Sequence, residues 1–128
     1  MKDLRFLTRD EIIQIHSFEI SISGGLKGIR DLKRLEAACE SVKASFDGKY
    51  LMNFFEMGAT YINSIIFNHP FNDGNKRTAL AVALTFFYVN GVELFEKENE
   101  EFADVILDLT NHKITKQDLV SFFKKRVK

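Results

Sequence analysis

Apolar residues recur every three or four positions along most of this 128-residue chain, and that spacing predicts helices rather than strands. Two capping boxes mark helix starts near the ends: Thr8-x-x-Glu11 precedes an isoleucine-rich run, and Thr115-x-x-Asp118 opens the last helix. The same pattern predicts further helices over residues 31–43, 51–68, 75–90 and roughly 99–109. We therefore predict a compact all-α fold of six helices, contained in a single domain over residues 1–128.

Two stretches between these helices are predicted to be irregular. Residues 21–30 contain three glycines and should not form a stable helix, so this loop either turns the chain or borders an active site. Residues 45–50 contain the turn pair Asp47-Gly48, which predicts a short hairpin near the pocket.

Polar and charged side chains crowd the start of the fourth predicted helix. Pro70 lacks an N–H and disfavours helical dihedrals at His69, so the preceding helix should end there and leave His69 on a loop. A free helix N-terminus follows, where Gly74 allows a close approach and Lys76 and Arg77 add positive charge. This combination predicts a binding site for phosphate.

After this loop a helix is predicted over residues 75–90, with Gly91 as its stop. Its apolar residues keep a spacing close to that of a helical turn: Leu80, Leu84, Phe87 and Val89. Phe71, an apolar side chain within the polar loop, should point inward and pin the loop to the helical core. The single cysteine, Cys39, cannot form an internal disulfide and should be buried.

A carboxylate beside a phosphate site implies a cation between them. Asp73 would otherwise repel the ligand, and Mg²⁺ held by one carboxylate plus nucleotide oxygens is the usual arrangement. His69 is then placed to accept a proton from an attacking hydroxyl. Taken singly, such residues are more often a surface histidine, a turn or solvated cations. Their joint occurrence in one turn before an apolar helix favours phosphoryl or nucleotidyl transfer.

These residues resemble the signature of the Fic/Doc family, His-x-Phe-x-(Asp/Glu)-Gly-Asn-Gly-Arg, which in the Doc (death-on-curing) branch is His-x-Phe-x-x-Ala-Asn-Lys-Arg. The corresponding residues here are His69, Phe71, Asp73, Gly74, Asn75, Lys76 and Arg77, which combine the first glycine of Fic with the lysine of Doc. The segments Gly24-Gly25-Leu26-x-Gly28 and Asn90-Gly91-Val92 are also similar to Doc proteins. The resemblance covers nearly the whole chain and implies the six-helix fold of that family, with a flap that aligns the protein substrate by strand addition.

The resemblance implies a role for each residue of the motif. His69 corresponds to the general base on the target hydroxyl, and Asp73 corresponds to the ligand of Mg²⁺. The residues that correspond to the phosphate-binding positions for ATP are Gly74, Asn75, Lys76 and Arg77.

The family divides by which phosphate of ATP is attacked. Fic enzymes transfer AMP to a hydroxyl of a target protein, whereas Doc transfers the γ-phosphate and inactivates elongation factor Tu on a threonine. Lys76 blocks the close backbone approach that a second glycine allows, and no second arginine follows Arg77, so both features favour the kinase. Gly74, where Doc has alanine, leaves room for the other nucleotide orientation, so a Fic-type AMP transferase is the alternative.

Many Fic enzymes restrain themselves with a (Ser/Thr)-x-x-x-Glu-(Gly/Asn) segment, and none occurs in this sequence. Restraint would then come in trans, from a small antitoxin whose helix lies in a groove of this domain, as in the resembled toxin–antitoxin pairs. The sequence therefore predicts two protein partners, an antitoxin and a protein substrate.

Charge balance and sequence pattern argue against several other kinds of protein. Lys+Arg and Asp+Glu are balanced at 18 each, so no broad field favours nucleic acid or an anionic membrane. The N-terminal residues lack the build of a signal peptide, which predicts a cytoplasmic protein. Zinc is disfavoured because His16, His69 and His112 are far apart in sequence, with no cysteine cluster. The alternative from another class is a catalytically silent helical module that only binds phosphate.

Overall fold

The computed structural model describes residues 3–95 and 99–128, and within these ranges the chain forms six helices and one short hairpin. The helices are α1 (Arg9–Ser23), α2 (Leu32–Ser41), α3 (Phe54–Asn68), α4 (Asn75–Val89), α5 (Asn99–Thr110) and α6 (Lys116–Lys124). Strands β1 (Ser45–Phe46) and β2 (Lys49–Tyr50) pair antiparallel, with Ser45 opposite Tyr50. The predicted all-α fold with a hairpin is confirmed. The domain prediction also covers residues 1–2 and 96–98, which lie outside the described ranges.

Both predicted capping boxes are present. The Thr8 side chain accepts from the Glu11 N–H while the Glu11 carboxylate accepts from the Thr8 N–H, and this exchange starts α1. Thr115 and Asp118 exchange the same two bonds at the start of α6. Each box provides side-chain acceptors for two backbone N–H groups that the start of a helix leaves unpaired, so these boundaries follow directly from local sequence.

The predicted start of α3 at residue 51 is wrong. A third capping box, between Asn53 and Glu56, starts this helix at Phe54. Leu51 and Met52 continue the apolar character of the helix backwards in sequence, but they lie before the cap. The Asn53-x-x-Glu56 spacing was a signal in the sequence that sets the boundary correctly.

The loop predicted over residues 21–30 is shorter than expected, because α1 continues through Ser21 to Ser23. Helix α1 is capped by Gly24, whose φ of 79° breaks the helix and whose N–H donates to the Ile20 carbonyl. The second helix is also shorter than the predicted range of 31–43. Asp31 caps it from outside by accepting from the Arg34 N–H, and the helix ends at Ser41.

The helix predicted over residues 75–90 is present as α4, and its core face consists largely of small residues. Phe87 is buried, but Leu80 and Leu84 are half-buried and Val89 is exposed. The buried residues are Thr78, Ala79, Val82, Ala83, Phe86 and Phe87. Alanines let α4 approach α3 closely, and Gly58 of α3 lies against the Phe87 ring where a Cβ has no room. Close backbone approach therefore decided which face is buried.

The expectations for Cys39 and Gly91 are confirmed. Cys39 is buried on α2, and this burial raises the pKa of its thiol. Gly91 follows the end of α4 with a φ of 88°, as expected of a helix stop. None of the helices in the described ranges combines the length and the apolar character needed to cross a membrane.

Candidate active site

The end of α3 places His69 on the surface. The helix stops at Asn68, and His69 adopts a left-handed conformation with φ 48° and ψ 58°. Its N–H donates to the Ile65 carbonyl at 3.2 Å, which is the last helical bond, and Pro70 follows. The imidazole is exposed and therefore accessible to another protein, as predicted from Pro70.

The loop after His69 is anchored to the core by Phe71. This ring is buried, with 1% exposure, and stacks on the ring of His16 at 3.8 Å between centroids and 4° between planes. The prediction that Phe71 points inward is confirmed. Its position gives the otherwise polar loop a fixed point in the interior.

The glycine-containing loop after α1 borders the site, which is one of the two roles that its sequence allows. Its backbone pairs with the motif loop: the Asn72 N–H donates to the Gly28 carbonyl at 3.1 Å, and the Arg30 N–H donates to the Pro70 carbonyl at 2.7 Å. Ile29 and Phe71 form an isolated antiparallel bridge between the two loops. These bonds span some forty residues of chain and hold the motif loop from one side.

Asp73 is an exposed carboxylate held by two backbone amides. Its Oδ2 accepts from the Leu26 N–H at 3.1 Å, and its Oδ1 accepts from the Gly74 N–H at 2.9 Å. These two bonds, and then the nearby Arg77 guanidinium, hold the pKa of the Asp73 carboxyl below its usual value. A carboxylate that is charged at neutral pH is an oxygen ligand that suits Mg²⁺.

A cation at Asp73 would take most of its ligands from elsewhere. Within the described ranges, no group of three or more histidine, cysteine, aspartate or glutamate side chains converges on one point. Mg²⁺ usually keeps several waters and binds one or two carboxylates together with substrate phosphates. The residues present therefore fit a cation that arrives with a nucleotide, and they do not fit a cage made only of protein ligands.

The N-terminus of α4 presents unpaired amides and two cations. Gly74 caps the helix with φ 74° and offers no side chain to the first turn. Lys76 is exposed, while the half-buried Arg77 donates to the Gly24 carbonyl at 3.0 Å. Free N–H groups and the positive end of the helix dipole favour an anion at this position. His69 and residues 72–77 line one cleft of about 400 Å³.

The side chain of Asn75 has a structural task within this motif. Its Oδ1 accepts from the Phe71 N–H at 3.1 Å, and its Nδ2 donates to the Phe71 carbonyl at 3.0 Å. The backbone N–H of Asn75, in the first turn of α4, remains free for a phosphate. The side chain instead fixes the shape of the loop.

The structure adds one residue that sequence patterns did not connect with the site. His16, which is 3% exposed on α1, has Nε2 at 2.8 Å from the Asp73 carbonyl oxygen. The contact joins residues 57 positions apart, so neither spacing nor local pattern pointed to it. His112, by contrast, stacks on Phe67 and has no contact with the motif loop among the described residues.

Comparison with known proteins agrees with this geometry. The chain is 38% identical over 112 residues to "Protein kinase doc" of Escherichia phage P1, across 88% of this chain and 87% of that protein. It is 37% identical over 90 residues to "Toxin Doc" of Mycolicibacterium smegmatis, across 70% of this chain and 67% of that protein. The model of the Fic/DOC family matches residues 6–87, which include α1, α3, most of α4 and the complete motif. The chain therefore belongs to the Fic/DOC family.

Proposed function

We propose that this protein is a Doc-like toxin kinase that transfers the γ-phosphate of ATP to a hydroxyl of a protein target. The arrangement that carries the proposal is the single cleft in which an exposed imidazole, a charged carboxylate and a cationic helix N-terminus meet. The names of the two relatives, one a protein kinase and one a toxin, support the same activity.

In this mechanism His69 accepts the proton of the target hydroxyl while the hydroxyl oxygen attacks the γ-phosphorus of ATP. The bond between that phosphorus and the bridging oxygen breaks, and ADP leaves. Backbone N–H groups of Asn75 and Lys76, together with the side chains of Lys76 and Arg77, hold the phosphates and stabilise the charge that develops on the transferred group. Gly74 leaves room for the phosphates, while its own N–H donates to Asp73. Asp73 holds Mg²⁺, which supplies further neutralisation of phosphate charge when bound.

The choice of the γ-phosphate rests on Lys76. This residue stands where Fic enzymes have glycine, and it is exposed and lines the cleft. A lysine at this position adds charge and removes the close backbone approach that glycine allows.

The second candidate is protein AMP transfer, and Gly74 favours it. A Cβ at this position would lie 3.0 Å from Ile20 Cδ1 and 3.3 Å from Arg77 Nη2, so the glycine leaves space between the start of α4 and these two side chains. The extra space favours a nucleotide bound in the other direction. A Gly74→Ala variant that raised the ratio of γ- to α-phosphate transfer would support this role of the glycine.

The proposed partners are a protein substrate, with elongation factor Tu as the first candidate, and a small antitoxin that restrains the toxin in trans. The inhibitory glutamate segment of many Fic enzymes does not occur in the sequence. Expression of the chain alone should therefore arrest growth, and expression of His69→Ala should not. Harmless accumulation of transfer-active protein would contradict the toxin assignment.

Labelled ATP tests the chemistry. The protein is incubated with Mg²⁺, cell lysate and ATP labelled on either the α- or the γ-phosphate, with His69→Ala as the inactive control. We expect a protein band labelled from the γ-position only. Label from the α-position would establish AMP transfer, and no label together with calorimetric binding of ATP would indicate a silent phosphate-binding module.

A further inference from the structure

The loop that carries the proposed catalytic residues is held by two side chains outside the motif, one near each end. At the Asp73 end, His16 Nε2 lies 2.8 Å from the Asp73 carbonyl oxygen. At the other end, Arg30 Nε lies 2.9 Å from the His69 carbonyl oxygen. Neither His16 nor Arg30 has a part in the chemistry proposed above.

His16 fixes the orientation of one peptide plane. A carbonyl oxygen can only accept a hydrogen bond, so Nε2 of His16 carries a hydrogen and donates it to Asp73. The His16 ring is buried and stacked on Phe71, which leaves this donor little freedom. The C=O and N–H of a trans peptide point in opposite directions. Anchoring the Asp73 carbonyl on the buried side therefore turns the Gly74 N–H the other way, toward the Asp73 carboxylate.

Rotation of this peptide would damage the anion site. It would turn the Asp73 carbonyl oxygen outward and the Gly74 N–H inward, and a carbonyl oxygen repels phosphate where an N–H attracts it. Gly74, at φ 74°, lowers the barrier to such a rotation because glycine adopts positive and negative φ with similar ease. The bond from His16 opposes this rearrangement.

Arg30 acts at the end of α3. Its backbone N–H donates to the Pro70 carbonyl at 2.7 Å, and its guanidinium donates to the His69 carbonyl at 2.9 Å. A cationic donor at a helix C-terminus satisfies an end carbonyl and the negative end of the helix dipole. Here it also stabilises the left-handed conformation of His69, which a residue other than glycine adopts at some cost.

We propose that His16 and Arg30 are positioning residues with separate effects. His16 sets the affinity for the Mg²⁺–nucleotide complex through the peptide between Asp73 and Gly74. Arg30 sets the transfer rate through the orientation of His69. The Arg30 part rests on the proposed function, because it is tested by a transfer rate. The His16 part is tested by nucleotide binding, which requires no turnover.

Four variants separate these roles. His16→Phe keeps an aromatic ring against Phe71 and removes the donor, while His16→Gln restores an N–H donor. Arg30→Met removes the guanidinium and keeps the apolar stem. Lys33→Met removes a charge from the nearby exposed surface of α2, and Lys33 donates to no carbonyl of the motif loop in the described ranges, so this variant is the charge control.

Calorimetric titration with Mg²⁺ and ADP tests the His16 part. We expect His16→Phe to lose about tenfold in affinity, which corresponds to one hydrogen bond. His16→Gln should recover part of the loss, and Arg30→Met and Lys33→Met should bind like the wild type. At saturating Mg²⁺–ATP, Arg30→Met should transfer at least about tenfold more slowly while His16→Phe approaches the wild-type rate.

Several results would overturn the proposal. Parallel losses of affinity and rate in both variants would reduce His16 and Arg30 to a general structural role, and wild-type affinity in a folded His16→Phe would remove the His16 part. If His16→Phe does not fold, nitrogen NMR of the wild-type ring decides, since hydrogen on Nδ1 alone contradicts the contact. A wild type that binds Mg²⁺–ADP but transfers nothing refutes the proposed function and the Arg30 part. The His16 part is then decided by the affinities of the variants for Mg²⁺–ADP alone.

Discussion

The side chain of Asn75 pairs with both backbone polar groups of Phe71, accepting from its N–H at 3.1 Å and donating to its carbonyl at 3.0 Å. The first residue of α4 thereby fixes the buried residue of the loop that precedes it. A primary amide offers one donor and one acceptor at this separation, which a carboxylate does not. The arrangement explains in physical terms why an asparagine stands at the start of α4, where the sequence alone predicts a phosphate-binding role.

We predict that Asn75→Asp damages both stability and transfer. The aspartate keeps the acceptor, but its second oxygen faces the Phe71 carbonyl and adds negative charge beside the phosphates. The free energy of unfolding should fall by about 1–3 kcal/mol, and transfer should fall by about a hundredfold or more. Urea denaturation and γ-label transfer measure the two effects. Asn111→Asp, the same change on an exposed turn, should leave both unchanged.

The burial of Phe71 predicts a large stability effect for its truncation. Phe71→Ala should cost about 3–5 kcal/mol, because the ring is 1% exposed and its removal leaves a cavity beside His16. The matched control is Phe46→Ala on the hairpin, where the ring is 77% exposed and the change should be within about 0.5 kcal/mol. Similar losses in the two variants would contradict the anchoring role of Phe71.

Much of the fold could be predicted because local signals decide it. The boxes Thr8/Glu11 and Thr115/Asp118 fix helix starts from four residues of sequence each, and Pro70 ends α3 by its own covalent structure. The face of α4 could not be predicted in the same way. It depends on how closely Ala79 and Ala83 let two helices approach, and that is decided by the partner helix.

In the candidate site, too, some features could be predicted from the sequence and others could not. The motif residues lie within one short stretch of the chain, so the sequence alone groups them, and their chemistry indicates phosphate transfer. The bonds that hold the loop could not be predicted because they cross long stretches of chain, from His16 to Asp73 and from Arg30 to His69. A lone histidine in an apolar helix and an arginine in a glycine-containing loop carry no sequence signal for such contacts.

Thr78 provides a test of the α4 interior. Its side chain is fully buried, and its hydroxyl has no hydrogen-bond partner among the described residues. Thr78→Val keeps the shape and removes the unpaired group, so the free energy of unfolding should rise by about 1 kcal/mol. Thr85→Val, which loses a bond of 2.7 Å to the Ala81 carbonyl, should give no such gain. A marked loss of stability in Thr78→Val would mean that the hydroxyl is paired in solution.

The electrostatics of Asp73 predict how nucleotide binding depends on pH. The N–H groups of Leu26 and Gly74 lower the pKa of Asp73 below 3.8, so the charged form persists until the pH falls through that lowered value. The Asp73 contribution is therefore complete at neutral pH and lost only in strong acid. The difference in Mg²⁺–ADP affinity between the wild type and a variant without the carboxylate should therefore stay constant between about pH 8 and pH 5. Protonation of the terminal phosphate of ADP, at about pH 6, weakens binding to both proteins alike.

The matched variant for this pH experiment is Asp73→Asn. It should bind Mg²⁺–ADP more weakly than the wild type across the whole range, because the amide lacks the charge that Mg²⁺ prefers. A difference between the two proteins that shrinks between neutral pH and pH 5 would mean that the Asp73 carboxylate loses its charge in this range, and would contradict the lowered pKa of Asp73.

The mass added to the target tests the central claim most directly. Purified elongation factor Tu, or whichever protein the labelled ATP identifies, is incubated with this protein, Mg²⁺ and ATP and then weighed intact by mass spectrometry, with His69→Ala in parallel. The account predicts a gain of one phosphoryl group with the wild type and no gain with His69→Ala. A gain of one adenylyl group, or full modification by His69→Ala, would contradict it.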